Sequence, residues 1–413
     1  MNNMKSFKKY LITFLTEFVI IFLGILVYKL VSVKFKEVQF TEYNLFRRSM
    51  SLLLPLIMCG LGVSVPRFIS KNSARNSILS VGMFIVSIVM IFIGTIMYIN
   101  KGYFSFLFFG SNKYSFYIPV LVLMILGAGY HAIVYGFLRG KFQYGWANII
   151  QFINIGLAPV VSVYFSDSIY EVLKINTIIW LVTSILAFVF LIRKNKQFLT
   201  FIKMKHDLIR LFYYGLPRVP GDFALLLLIS IPSFIVLHIY DDFILSGYVA
   251  FSTTLLNLVG ASFGPIGLIL LPETNKLIKK KEFEKLSHIL KRVVKFSIII
   301  AFTGVLIFYL FSNFFLDVLI SDSTPLLIKT SRLMMSGGIG YAVFLNLRSV
   351  LDAYYFKPVN SYNMLKSLLL LMILVLIIKL LNLPFEYLMI SYSVSMSFLG
   401  FITYIQVKKI IKF

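Results

Sequence analysis

Apolar stretches of about twenty residues recur along the whole chain and are separated by short polar gaps. A helix needs roughly 17–25 mostly apolar residues to cross the hydrocarbon layer of a bilayer. Stretches of this length occupy residues 11–33, 45–66, 77–99, 115–138, 146–165, 174–192, 222–239, 246–271, 293–313, 326–346, 362–381 and 387–407. The pattern therefore predicts an all-α polytopic membrane protein with about twelve transmembrane helices.

The lysine and arginine residues fall mainly in every second gap between these stretches. The largest basic intervals lie at 193–221 and 272–292, both on the side that also holds the two chain ends. Loops rich in Lys and Arg stay in the cytoplasm during membrane insertion. Both termini are therefore predicted to be cytoplasmic, in the cell (inner) membrane of a bacterium.

Composition agrees with a chain that is mostly in contact with lipid or with other apolar helices. The chain of 413 residues is 59% hydrophobic and 14% charged, and its mean hydropathy is +0.90. The net charge of +24 is spread over short loops, so anionic lipid headgroups are the expected partners and nucleic acid is not.

The sequence contains no recognisable catalytic or metal-binding constellation. Cys59 is the only cysteine, and the four histidines have no metal-ligand spacing. No Gly-Lys-Ser/Thr phosphate loop is present, and Asp241-Asp242 is the closest acidic pair. We therefore expect no cofactor and no enzymatic activity. The short outer loops also disfavour a membrane-embedded polymerase or glycosyltransferase.

The chain divides into two halves of six predicted spans each. We predict an N-terminal six-helix bundle at 1–192, a cytoplasmic connector at 193–221 with an interfacial amphipathic segment at 208–214, and a C-terminal six-helix bundle at 222–413. Weak similarity between 137–148 and 350–363 relates the two halves. Parallel repeats of this kind are typical of transporters, whose substrate pathway is a central cavity between the bundles.

Several short motifs, in this order, resemble one transporter family. They are Phe-Thr-Glu-Tyr-Asn at 40–44, Gly-Leu-Gly-Val-Ser-Val-Pro-Arg at 60–67, Phe-Leu-Arg-Gly at 137–140, Tyr-Gly-Leu-Pro-Arg-Val-Pro-Gly-Asp at 214–222, Pro-Glu at 272–273 and Leu-Arg-Ser-Val-Leu-Asp-Ala at 347–353. With twelve spans, they resemble the polysaccharide (O-antigen type) flippases of the multidrug/oligosaccharidyl-lipid/polysaccharide exporter superfamily.

The resemblance implies a flippase for an undecaprenyl-pyrophosphate-linked oligosaccharide in surface polysaccharide assembly, such as O-antigen, lipopolysaccharide or capsule. Alternating access would carry the repeat unit from the cytoplasmic to the outer leaflet. Polysaccharide polymerase machinery is then an implied partner. A cation-coupled multidrug or metabolite antiporter of the same superfamily is the alternative.

Arginine suits a cavity that receives pyrophosphate, because its planar guanidinium binds phosphate oxygens in two parallel hydrogen bonds. Arg47 and Arg48 open the second span, where they either line the cavity or snorkel to the surface. Arg332 lies within the tenth span, with Lys329 nearly one turn before it. We predict a cavity role for Arg332, and the alternative is that both side chains reach the outer headgroups.

Four further arginines lie at inner helix ends, where topology alone also explains a basic residue. They are Arg67, Arg139, Arg218 and Arg348. Arg218 is the strongest candidate of the four. Pro217, Pro220 and Gly221 predict a broken backbone beside it, and Asp222 could pair with it.

Two polar features lie inside apolar spans. Glu17 is a carboxylate in the first span, and it is either a coupling or gating site for a cation or a structural hydrogen-bonding group. Asn148, Gln151 and Asn154 recur on one side of the fifth span, either facing a hydrated cavity or joining helices. His131 is expected to be a buried structural residue.

Overall fold

All the secondary structure of the described chain is helical. The computed structural model describes residues 2–71, 77–194, 201–321, 323–355 and 357–411. The α-helices are α1 Asn2–Lys34, α2 Glu37–Met58, α3 Leu61–Lys71, α4 Ser77–Ile99, α5 Lys101–Phe109, α6 Tyr117–Gly140, α7 Tyr144–Gln151, α8 Ala158–Tyr164, α9 Ile169–Lys194, α10 Phe201–Gly215, α11 Val219–Ile239, α12 Phe243–Lys279, α13 Phe283–Leu310, α14 Ser312–Leu319, α15 Pro325–Met335, α16 Gly338–Tyr354, α17 Val359–Leu380 and α18 Phe385–Ile411.

The membrane character of the chain is confirmed. Among the described residues, nine helical runs are long and apolar enough to cross a membrane, and the bent pair α2 and α3 makes a tenth. Apolar side chains face outward from these helices, as in Phe14, Phe18 and Phe22 of α1. Each of the twelve predicted spans coincides with helix in the structure, although the second and tenth are broken and the ninth extends past the end of α13 into α14.

The second predicted span is interrupted between α2 and α3, which meet at an angle of 50°. Cys59 and Gly60 both adopt left-handed backbone conformations there, with φ of 46° and 75°. A β-carbon at Gly60 would collide with the backbone of Gly215 at the end of α10. The break therefore allows two backbones to touch, which only glycine permits.

The predicted backbone break at Pro217, Pro220 and Gly221 is wrong. A single 3-10 turn, Leu216–Arg218, joins α10 to α11, and the helical run Lys205–Ile239 is long enough to span a membrane. Both prolines lie in the first turn of a helix, where the missing N–H would have no helical partner anyway. The predicted connector at 193–221 thus contains all of α10, although its residues 195–200 lie outside the described residues.

The tenth predicted span consists of two shorter helices. α15 ends at Met335 and α16 begins at Gly338, with Ser336 and Gly337 between them. Arg332 consequently lies in the last turn of a helix, where the partial negative charge of the carbonyl ends favours a cation.

The chain forms two compact units. One comprises Met1–Val219 with Leu319–Ser321, and the other comprises Pro220–Val318 with Asp322–Phe413. In the second unit, α16 packs against α18 through Gly340 and Gly400, whose α-carbons approach the facing backbones closely. Small residues at such contacts are typical of membrane helix pairs. The division at 192 and 222, the central cavity and the cytoplasmic termini stay predictions.

Candidate functional site

A chain of buried and half-buried polar side chains lies in the first unit. Its centre is a π-helical turn, Phe152–Leu157, between α7 and α8. Such turns widen the helix and often occur at functional sites. Asn154 lies in this turn, with Nδ2 3.0 Å from Nδ1 of His131 on α6 and Oδ1 2.5 Å from Oγ1 of Thr183 on α9. The π-helical turn therefore joins three membrane-spanning helices.

Both ring nitrogens of His131 have a hydrogen-bonding partner. Nδ1 lies 3.0 Å from Nδ2 of Asn154, and Nε2 lies 3.3 Å from Oε1 of Gln151. The ring therefore connects the two amide side chains. The side chain is 5% exposed, so the prediction of a buried structural histidine is in keeping with its position.

The chain continues from Gln151 to the carboxylate of Glu17 on α1. Glu17 is half-buried, hydrogen-bonds to the Gln151 side chain and lies in the electrostatic field of Arg139. Arg139 itself donates to Oη of Tyr135 at 2.9 Å. A continuous path of polar groups thus runs from Glu17 through Gln151, His131 and Asn154 to Thr183.

The structure brings several of the predicted site residues together. Glu17, Arg139 and Gln151 are neighbours, and Asn148 of the same face donates to Oγ1 of Thr13 on α1 at 3.2 Å. The predicted polar stripe of the fifth span thus forms inter-helix hydrogen bonds, which was one of its two open interpretations. Whether it also faces water stays a prediction.

Thr183 and Trp180 of α9 belong to this cluster, and the sequence reasoning missed both. The Trp180 ring lies 5.1 Å from the His131 ring. The only available signal was that hydroxyl and indole groups interrupt an otherwise apolar span.

Most of the predicted arginines share one environment, in which the guanidinium lies over an aromatic ring. The Cζ-to-centroid distances are 5.3 Å for Arg47 on Tyr28, 4.2 Å for Arg67 on Tyr214, 5.5 Å for Arg139 on Tyr135, 5.2 Å for Arg210 on Phe68, 3.9 Å for Arg218 on Tyr214, 5.1 Å for Arg332 on Tyr309 and 5.8 Å for Arg348 on Phe344. Arg210 is the member that sequence reasoning missed.

An aromatic ring attracts a cation without neutralising it. The ion pairs described within the structure involve His206, Lys285 and Lys329 as the basic partners. The seven guanidinium groups rest on rings and are positively charged, and Arg139 also interacts electrostatically with the Glu17 carboxylate. This arrangement suits recognition of an anion, because each guanidinium group retains N–H donors beyond those used within the protein.

Tyr214 holds two of these arginines at once, in the first unit. Arg67 donates to the Tyr214 hydroxyl, and Arg218 donates to the Tyr214 carbonyl oxygen at 2.8 Å. Arg67 is exposed and Arg218 is half-buried. Two positive charges therefore converge on one side chain at a helix end predicted to be cytoplasmic. Pairing of Arg218 with Asp222, in the first turn of α11, stays a prediction.

In the second unit, Arg332 is half-buried and donates from Nε to Oγ of Ser312 at 2.7 Å. Lys329, one turn earlier, forms an ion pair with Glu386 of α18 at 2.6 Å. Arg332 thus retains its outer guanidinium nitrogens for a ligand, whereas Lys329 already has a carboxylate partner. Arg348 is half-buried near the C-terminal end of α16.

Arg47 and Arg48 differ although they are adjacent on α2. Arg48 is 6% exposed, whereas Arg47 is exposed and lies in the notch formed by Tyr28 and Tyr43. Burial of Arg48 inside the bundle removes it from the lipid. Snorkelling is therefore not required to explain its position.

No family model and no curated protein matches the sequence. Solved structures do match. An outward-facing multidrug resistance MATE family transporter of the MOP superfamily superimposes with a TM-score of 0.69 at 14% identity, covering 97% of this chain and 94% of the other. The chain has a MATE-like transporter fold.

Two further structures extend this result. An inward-facing conformation of a MATE family transporter gives a TM-score of 0.73 at 13% identity and covers 94% of each chain. The lipid II flippase MurJ, in an inward closed conformation, gives 0.71 at 16% identity and covers 98% of this chain and 88% of MurJ. The MATE-like fold thus occurs in solved inward-facing and outward-facing conformations, and it is shared by multidrug resistance transporters and a lipid II flippase.

Proposed function

We propose that this protein flips an undecaprenyl-pyrophosphate-linked oligosaccharide from the cytoplasmic to the outer leaflet of a bacterial inner membrane. The unit would then serve surface polysaccharide assembly, with polymerase machinery as a partner. Two observations support this proposal: solved MATE structures with this fold are inward-facing and outward-facing, and another solved structure with this fold is a lipid II flippase.

The guanidinium groups that rest on aromatic rings are the observation that favours an anionic cargo over a cationic one. A cationic drug would be repelled by them, whereas each guanidinium group offers a pyrophosphate a positive charge and paired N–H donors. The chain as a whole has 40 basic and 16 acidic residues. Anionic cargo therefore fits these side chains better than cationic cargo does.

We assign the cargo contacts to the site residues that were predicted from the sequence. Its arginines would bind the pyrophosphate, and Asn148 and Gln151 would contact sugar hydroxyls. The basic members are Arg47, Arg48, Arg67, Arg139, Arg218, Lys329, Arg332 and Arg348. The prenyl tail would remain in lipid, because only the polar headgroup needs protection from hydrocarbon.

The membrane potential alone can drive this movement. Moving one charge through 100 mV is worth about 2.3 kcal/mol. A pyrophosphate with two negative charges leaving a negative-inside cell would therefore gain about 4.6 kcal/mol by the same arithmetic. Cation coupling is an additional possibility for the mechanism rather than an energetic requirement.

A cation-coupled antiporter is the second candidate, because one observation favours it. Glu17 is a carboxylate inside a membrane span at the end of a continuous hydrogen-bonded path, and a carboxylate in this setting suits a proton or sodium ion. The MATE neighbours are multidrug transporters. In this case Glu17, with Asp222, would serve coupling or gating.

Reconstitution in proteoliposomes separates the two candidates. One set of vesicles carries a fluorescent lipid-linked oligosaccharide, whose leaflet position is read from its accessibility to a membrane-impermeant quencher. A second set is tested for uptake of a cationic dye under an imposed sodium or proton gradient. The flippase proposal expects protein-dependent exchange of the lipid and no gradient-driven dye uptake. Dye transport without lipid exchange would contradict the flippase proposal and favour the cation-coupled antiporter.

A further inference from the structure

A groove in the second unit combines two lysines with an apolar wall. It has a volume of about 380 Å³ and is lined by Lys291, Val294, Lys295, Ile298 and Ile299 of α13 and by Tyr404 of α18. Lys291 and Lys295 are one helical turn apart, and Ile298 and Ile299 follow one turn further along the same face. The groove therefore has a cationic end and an apolar end.

The side chains at both ends are accessible. Lys291 and Lys295 are exposed, and Ile298 and Ile299 have exposed fractions of 42% and 51%. Exposed isoleucines in a membrane-spanning helix contact lipid chains, whereas two exposed lysines on the same face attract an anion. Tyr404 lies at the edge of the groove, and its ring with a polar hydroxyl suits the headgroup level of a membrane.

We propose that an anionic glycerophospholipid occupies this groove. Its phosphate would lie between Lys291 and Lys295, and one acyl chain would run along Ile298 and Ile299. Charge complementarity carries this choice, because an anionic lipid brings a net negative charge to the two lysines and a zwitterionic lipid does not. The basic end also lies on the side of the membrane predicted to be cytoplasmic, where anionic lipids attract basic residues.

The lipid would act as a structural ligand that joins α13 to α18. α13 packs mainly against α16 and much less against α18, so a lipid would fill the space between them. This inference concerns a surface distinct from the proposed cargo residues. It needs only the membrane position of the two helices, and its test does not require transport.

Native mass spectrometry of the full-length protein in detergent provides the test. Phosphatidylglycerol is titrated against phosphatidylcholine with the same acyl chains, for the wild type and for Lys291→Gln/Lys295→Gln. We expect the wild type to prefer phosphatidylglycerol. The double variant should bind it about 25-fold more weakly, a factor of about five for each lysine near an anionic group. The variant is expected to fold, because both side chains are exposed.

The matched control is Lys276→Gln/Lys280→Gln. These two exposed lysines are also four residues apart and lie on the same predicted side of the membrane, but outside the groove. The control should retain the wild-type preference. Equal losses in both double variants would mean that overall charge, rather than the groove, attracts the lipid, and would overturn the proposal.

A second variant distinguishes a lipid from a free anion. Ile298→Ser/Ile299→Ser leaves both lysines in place and removes the apolar wall, so phosphatidylglycerol binding should weaken. Inorganic phosphate should not compete with the lipid. If phosphate displaced it and the serine variant bound it normally, the groove would be an anion site without lipid specificity, contrary to the proposal.

Discussion

Asn154 and His131 form the central contact of the polar chain in the first unit, with Nδ2 of the asparagine 3.0 Å from Nδ1 of the histidine. Both side chains are buried, and the asparagine also accepts from Thr183. One amide thus links helices α6 and α9 through the π-helical turn. Its partners would lose buried hydrogen bonds if the amide were removed.

We therefore expect Asn154→Leu to destabilise the protein by about 1–3 kcal/mol, the usual cost of leaving buried polar partners unsatisfied. Adding Thr183→Val should recover part of this loss, because both members of one pair would then be apolar. Thermal unfolding of the two single variants and the double variant in detergent gives the coupling energy. Strictly additive losses would show that the Asn154–Thr183 contact contributes little.

The carboxylate of Glu17 is expected to govern any cation dependence of transport. Glu17→Gln retains a hydrogen-bonding group beside Gln151 but removes the charge. Transport in proteoliposomes should continue under a membrane potential and should no longer respond to a sodium or proton gradient. Glu171→Gln, at an exposed position on α9, is the matched control. A full gradient response in Glu17→Gln would assign the carboxylate a structural role only.

The ring of Tyr214 is expected to matter more than its hydroxyl group. Tyr214→Phe keeps the surface on which Arg67 and Arg218 rest, whereas Tyr214→Leu removes it. Each cation–π contact is worth about 0.5–1 kcal/mol at an exposed site, so loss of both should lower transport about 5- to 30-fold. The neighbouring Tyr213 is 86% exposed, and Tyr213→Leu serves as the control. Equal effects of the phenylalanine and leucine variants would contradict the ring's role.

Arg332 is expected to contribute directly to pyrophosphate binding. Arg332→Ala should weaken cargo binding about 10- to 100-fold, the range for a lost charge-assisted hydrogen bond. Arg332→Lys should lie between the alanine variant and wild type, because it keeps the charge without the planar fork. Lys379→Ala removes an exposed charge from the end of α17 and should bind normally. Isothermal titration with inorganic pyrophosphate and with lipid-linked oligosaccharide measures these differences.

The contact between α16 and α18 makes a prediction about stability. A β-carbon at Gly340 would overlap the backbone of Ser397, whereas one at Gly304 on α13 would meet nothing within 4 Å. Gly340→Ala should therefore cost about 1–3 kcal/mol through overpacking. Gly304→Ala should be neutral or stabilising by up to about 1 kcal/mol. Similar melting temperatures for the two variants would mean that the close contact is not maintained.

The sequence predicted the helices well, because the length of an apolar stretch and the charge of its flanking gaps are local properties. It could not predict the break at Ser336 and Gly337, since glycines occur equally in unbroken spans such as α6. It also predicted a broken backbone near Pro217, where the prolines instead occupy first-turn positions that helices tolerate.

The candidate site was predicted only in part. The polar face of Asn148, Gln151 and Asn154 is visible as a periodic pattern, but its partners on α1, α6 and α9 are distant in sequence. The same holds for the arginines. Arg67 and Tyr214 are 147 residues apart, so the ring beneath that guanidinium becomes evident only in the folded chain.

The most direct test of the account is the leaflet distribution of lipid-linked oligosaccharide in cells that lack this protein, complemented by wild type or by Arg332→Ala. We expect the lipid-linked glycan to accumulate on the inner face, and we expect wild type, but not the variant, to relieve the accumulation. Normal export without the protein, in cells that hold no second flippase, would contradict the proposed function and favour the antiporter.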